Sequence, residues 1–379
     1  MHEQLLMEKA LTLRGDVLEW VEAMRVPEDG YGRYRFAVSC REPDLYSSCI
    51  AVFIRDLLRD LNNLTDAQRQ QWIEFIQSFQ DPDTGYFIDS RVEPRDTATH
   101  SWDYLKLEMT HLSVSALDIL GAFPRHPLRF LESLASAPAL TKWLNQRAWV
   151  RRVEGGWDEC ADSEGKCIFH LGGLLISACE WGELSTDIVD ALFRWLDQHV
   201  DADTGFWGTQ EGCGLFNAMC GSAPIYALYF HQRRLVLYPN RAIDSILTLQ
   251  QPDGLFYPRG GGMPEADFSA VMLLVGMIMR SEHRLVEVEA CLRRVQYAIF
   301  AQGLHNDDGG FCANKRQRER IQHRGLEHIS AHPWESDMLS TWLRCGILAL
   351  ISEATESPLT QVGWFIRENG EAATFAVWL

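Results

Sequence analysis

Six polar side chains recur at comparable places along this chain: Asp44, His111, His170, Cys220, Asp267 and Asp337. Each stands at the head of a segment rich in Ala, Ser, Leu and Gly. Carboxyls and imidazoles gathered at one point are the groups that move protons near neutral pH. Asp267, Asp337, His111 and His170 are therefore the candidate catalytic set. The same four side chains form a mixed imidazole and carboxylate set of the kind that holds zinc, iron or manganese. A divalent metal there is the alternative to proton transfer; otherwise no cofactor is expected. Asp is also a favoured helix N-cap, so Asp44, Asp267 and Asp337 have a purely local use, and Cys220 alone fits packing.

The elements that position these residues are read from a repeat. Turns rich in Asp and Gly and followed by an aromatic recur as PEDGY, DPDTGYF, EGGW, DADTGFW, QPDGLFY and NDDGGF, with their glycines at 30, 85, 156, 205, 254 and 310. A stretch with apolar residues at i, i+3, i+4 spacing precedes each turn, as in Leu192, Trp195 and Leu196. The segment after each turn is apolar nearly all round, as in HLSVSALDIL and DFSAVMLLVGM, which marks a helix buried on every side. Six such pairs close most simply into an all-α (α/α)6 toroid, one domain spanning residues 1–379; an open solenoid is the alternative. Four of the six polar residues follow their turn glycine by 13 to 15 residues, and the two longer gaps imply insertions near 88–110 and 312–336. In a ring, all six inner-helix N-termini point to one end, so the polar set is expected at one mouth.

The turns carry a resemblance. LQQPDGLF, with Gln250, Gly254 and Phe256, resembles the Q-x3-G-x-W motif of squalene-hopene cyclases and other class II terpene cyclases. DADTGFW supplies Gly205 and Trp207, and FQDPDTGYF gives a looser version with Gln80, Gly85 and Phe87. The chain is thus similar to the prenyltransferase and squalene-cyclase toroid superfamily over nearly its full length. The resemblance implies a proton donor in the middle of a DxDDTA motif. Glu265-Ala266-Asp267-Phe268-Ser269-Ala270 matches it with Asp267 in the donor's place, while Glu265 and Phe268 replace the flanking acids. The zinc site of the related protein prenyltransferases lacks two of its three ligands in this sequence.

Around that mouth, Asp44, Trp102, Cys220, Glu265, Phe268, Arg259, Arg316 and Trp334 are expected to bind substrate, with Trp157 and Trp207 among the aromatics shaping the cavity. The insertion near 88–110 holds His100, Trp102, Asp103 and Glu108. The other contains the basic run KRQRERIQHR, which reads as a solvated face or as a lid over an anionic group. The net charge of −17, with a pI near 5.1, repels phosphate backbones and excludes nucleic acid as a natural partner. With 46% hydrophobic and 23% charged residues and a mean hydropathy of −0.16, the chain reads as globular and cytoplasmic, with no integral membrane segment. Self-association stays open.

Two activities fit these observations. One is a terpene cyclase-like isomerase or lyase acting on a hydrophobic, prenyl-derived or anionic small molecule by carboxyl-initiated proton transfer in a central cavity. The other is an (α/α)6 carbohydrate-active hydrolase, lyase or epimerase. An inactive small-molecule-binding toroid is the non-enzymatic alternative.

Overall fold

In the computed structural model, residues 2–28, 30–92, 101–153 and 156–366 are described. Their helices alternate between two layers. The pairs, outer helix first, are α1 (His2–Ala23) with α2 (Leu45–Leu57), α3 (Asp66–Gln77) with α4 (Trp102–Leu120), and α5 (Ala137–Leu144) with α6 (Ala161–Glu180). They continue as α7 (Asp187–His199) with α8 (Leu215–His231), α9 (Pro239–Leu247) with α10 (Pro264–Ile278), and α11 (Leu285–Ala301) with α12 (Met338–Ala354). Each inner helix packs on the next, and α12 packs on α2. The ring is closed, which settles the choice against an open solenoid.

The layers follow from where the apolar residues lie. Every residue of α2 is buried. The outer helix α7 buries one face only, through Ile188, Val189, Leu192, Phe193, Trp195 and Leu196. Between α6 and α8 the approach is so close that a Cβ on Gly165 would stand 2.0 Å from the Gly221 carbonyl oxygen. Only glycine fits there.

The repeat turns set the register of each inner helix. Gly85, Gly205 and Gly254 have φ of +84°, +75° and +89°, the left-handed region that glycine enters at no steric cost. Gln80 donates from Nε2 to the carbonyls of Gly85 at 3.2 Å and His126 at 2.7 Å. Gln250 does the same to Gly254 at 2.9 Å and Cys291 at 3.1 Å. In five units a backbone N–H of the aromatic strand donates to a side chain on the inner helix. The pairs are Tyr34 to Ser48, Phe87 to Thr110, Trp207 to Ser222, Phe256 to Asp267 and Phe311 to Thr341, at 2.8 to 3.0 Å.

Two short antiparallel hairpins were not foreseen: β1 (Val150–Val153) with β2 (Gly156–Glu159), and β3 (Ile321–Gln322) with β4 (Ser330–Ala331). Gly156 and Trp157 of the EGGW segment begin β2, and Glu154 and Gly155 lie outside the described residues. Of the insertion expected near 88–110, the part from Trp102 onward is helix α4, and His100 lies outside the described residues. Residues 312–336 join α11 to α12 and carry β3 and β4 beside the starts of α10 and α12. Among the described residues no helix is long and apolar enough to cross a membrane.

Candidate active site

The six-residue column is not one ring of side chains. Asp44 and Asp337 are the N-caps of α2 and α12. His111 and His170 lie midway along α4 and α6, because both helices start well before them. Cys220 is in the second turn of α8, where burial raises its thiol pKa well above the ordinary range. It packs as a small hydrophobe.

Asp267 is displaced as well. The N-cap of α10 is Met263, so Asp267 sits one turn inside the helix, at the level of Ser48, Thr110, Ser222 and Thr341. It performs their task of receiving the turn N–H. One carboxylate oxygen accepts from Phe256 N at 2.8 Å; the other accepts from Met263 N at 3.0 Å and from Arg344 Nη1 at 2.8 Å. Both members of the Asp267–Arg344 pair are fully buried. Burial raises the Asp267 pKa and the guanidinium opposes that rise. A carboxylate so saturated is a strut between α10, α12 and the turn, and this geometry counters the expectation that it donates protons. Phe268 likewise packs on Gly346 of α12 rather than facing a cavity.

Asp337 has a different setting. Its carboxylate accepts from Ser340 N at 2.8 Å and Ser340 Oγ at 2.6 Å. Among the described residues no cation contacts it. Burial pushes its pKa up to about 7 against those two hydrogen bonds, and the charges of Glu265 and Glu335 add to the rise. Asp44 repeats the cap on Ser47 at 2.6 and 2.7 Å and is also raised to about 7, chiefly by burial. Asp337 also opens onto a pocket. That pocket, of about 210 Å³, lies between the starts of α10 and α12 and the 312–336 insertion. Glu265, Asp337, His323, His332, Asn314 and Gln317 supply its polar groups, and Phe36, Tyr257, Met263, Ile321 and Leu339 are among its apolar walls.

On the ring axis is a second, smaller cavity of about 50 Å³, lined by side chains from all six inner helices. It has room for a few water molecules. Arg324 enters it from the insertion. Its Nε donates to both oxygens of Glu108 at 3.0 and 3.1 Å, Nη2 lies 2.9 Å from Glu108, and Nη1 donates to Glu265 at 3.2 Å. The guanidinium lies 5.6 Å from the centre of the Tyr104 ring, whose hydroxyl also donates to Glu108 at 3.1 Å. His170 lines this chamber, and its Nδ1 is 3.1 Å from Nδ1 of His111. Burial lowers both imidazole pKa values well below the usual range, so the pair is neutral and one ring donates to the other. Lys166, paired with Asp162 at 2.9 Å, completes the polar wall.

The model of the prenyltransferase alpha-alpha toroid domain matches residues 47–163 and 166–326. The chain belongs to the prenyltransferase alpha-alpha toroid family. Among solved structures it is similar to the ent-copalyl diphosphate synthase from Streptomyces platensis, at 14% identity and a TM-score of 0.41, covering 80% of this chain and 51% of that one. It is also similar to a polysaccharide lyase, at 12% identity and a TM-score of 0.45, covering 92% of this chain and 97% of that one. The chain spans about half the length of the synthase. No curated protein matched the sequence.

In this toroid-family chain the remaining expected residues scatter around the mouth. Glu265 borders both cavities. Trp102 begins α4, half-buried at the rim. Arg259 is exposed, 6.0 Å from the Tyr257 ring centre, and Arg316 is exposed and pairs with Asp253 at 3.5 Å. Trp334 is exposed and stacks on His332 at 5.2 Å. Trp207 is buried in the repeat packing, and the Trp157 side chain is outside the described set. Asp44 faces neither cavity. Among the described residues no three His, Cys, Asp or Glu side chains are grouped as metal ligands, and Asp267 is paired with Arg344 instead. Tyr104, Glu108 and Arg324 were missed as a unit. The first two lie four residues apart on a buried helix, which was the available signal.

Proposed function

We propose that this toroid protein is an acid–base enzyme acting on a carbohydrate at the inner-helix mouth, with Asp337 as proton donor. The supporting observation is the convergence of Asp337 and Glu265 on one pocket, with Asp337 bound by Ser340 rather than by a cation and raised to about 7. Such a carboxyl keeps its proton near neutral pH and can give it to a glycosidic or ring oxygen. Glu265, tethered by Arg324, is the second carboxylate that glycoside hydrolysis uses. The pocket is smaller than the ~300–1,000 Å³ usual for a whole ligand, so it suits one residue of a chain. Phe36 and Tyr257 give the pocket aromatic surface for the apolar side of a sugar, and exposed Trp334 follows the lining residue Pro333 in the chain.

A second reading, carboxyl-initiated proton transfer to a prenyl-derived substrate, is favoured by the apolar wall of Met263, Pro264, Ile321 and Leu339. The 50 Å³ axial cavity tells against a long prenyl chain held on the axis. The test is one assay panel, acidic and neutral oligosaccharides beside prenyl diphosphates, run on the wild type and on Asp337→Asn. Sugar turnover lost in the variant supports the first reading, and prenyl turnover alone replaces it with the second. Full turnover in the variant removes Asp337 as the acid.

A further inference from the structure

Glu265 and Leu339 belong to both cavities, so the outer pocket and the axial chamber share a wall. Arg324 and His323 stand at that wall, and both come from the insertion rather than from the ring. His323 lies 4.4 Å from the Tyr46 ring centre and stacks on Phe36 at 5.7 Å. Arg324 makes the Glu108 and Glu265 contacts described above. The backbone turns sharply to deliver these two side chains, with φ of +53° at Arg324 and +79° at Gly325. For a residue with a Cβ, that conformation costs about 1–2 kcal/mol. The ion pairs with Glu108 and Glu265 offset it.

We propose that residues 312–336 form a strap that shuts the axial chamber, with Arg324 as its latch, and that its release joins the two cavities into the full substrate site. This deepens the functional reading above and rests on it for the word substrate; the motion itself does not depend on that reading. Three observations support it. Each cavity alone is too small for an oligosaccharide, while together with the volume vacated by Arg324 and His323 they approach an ordinary binding site. The chamber holds polar groups, Glu108, His170 and Ser269, that are all buried, and Arg324 from the strap stands among them. The outward part of the strap is lightly held: Ile321 and Gln322 are exposed, and Arg320 bonds mainly to the strap's own Ser330. The latch is two-sided. Opening leaves Glu108 and Glu265 to face the ligand and carries the Arg324 cation outward.

The test reads opening without using turnover. Ser269 lines the chamber, so a Ser269→Cys variant reports access through the rate at which iodoacetamide alkylates position 269, followed by peptide mass spectrometry. Adding Glu108→Gln removes the bidentate partner of Arg324 and is expected to speed alkylation at least tenfold. Glu265→Gln, which removes a single contact, is a second background in case the first variant does not fold. Conversely, native Cys40 lies with its Sγ 3.2 Å from the Ser330 carbonyl oxygen. Ser330→Cys places a second thiol beside Cys40; once peptide mass spectrometry shows a disulfide between Cys40 and position 330, it locks the strap and is expected to slow alkylation at position 269 at least tenfold until a reductant is added. Equal rates in the locked, reduced and Glu108→Gln forms would overturn the strap. If the strap opens as expected but no sugar or prenyl compound is turned over, the function above fails and the strap stands.

Discussion

Asp337 caps its inner helix and Asp267 lies one turn inside the neighbouring one; both are buried, and burial raises both carboxyl pKa values. Their surroundings separate them. Asp267 receives two backbone N–H groups and a buried guanidinium, which fill three of its about four acceptor sites, and it lines neither cavity. Asp337 receives only Ser340 and borders a pocket. The lesson is that a buried acid becomes a reagent when its hydrogen-bonding capacity is left partly unspent beside empty space, and a strut when it is saturated.

The comparison can be broken by substitution. The largest effect is expected at the strut. Asp267→Asn strands the Arg344 charge in the interior and should lower unfolding free energy by about 3–5 kcal/mol in urea titration. A loss below about 1 kcal/mol would end its assignment as a strut. Next comes Asp337→Asn, which keeps the cap on Ser340 N and should remain folded while losing at least about 100-fold in turnover. The wild-type rate should correspondingly fall as pH rises through about 7, where the Asp337 proton is lost.

Asp337 and Asp44 should affect stability alike. Both carboxyls are raised from 3.8 to about 7. Between those values the folded form holds protons that the unfolded chain has released, so their contribution to stability is full below about 4 and lost as pH climbs through about 7. Asp44→Asn and Asp337→Asn should each flatten that decline by up to about 1.4 kcal/mol per pH unit, read from denaturation series between about pH 4.5 and 7.5. Only Asp337→Asn should also alter the rate. The smallest change is expected for Trp334→Ala, within about 0.5 kcal/mol of wild-type stability because the ring is exposed, with weaker sugar binding by calorimetry. Unchanged binding would dismiss its stacking role.

The ring, its two layers and the Gln-to-turn ties could be read from the repeat, because periodicity and glycine placement are local properties. The register of α10 could not. An apolar helix slid by four residues keeps nearly the same face inward, so Asp267 aligned with Asp44 and Asp337 although it stands one turn deeper. No capping signal corrected this, since Met263 gives the N-cap no side-chain oxygen. Likewise Arg324 was visible only as one member of a basic run. Its pairing with Glu108 spans 216 residues, and only the closed ring brings the two together.

That closure has a consequence for how the molecule gains and loses structure. In an open stack of repeats the end units can fray one at a time, because each loses a single interface. Here the first inner helix is also the neighbour of the last, so no unit is terminal. Peeling any hairpin away costs two interfaces and exposes two apolar flanks, which favours unfolding as one cooperative event.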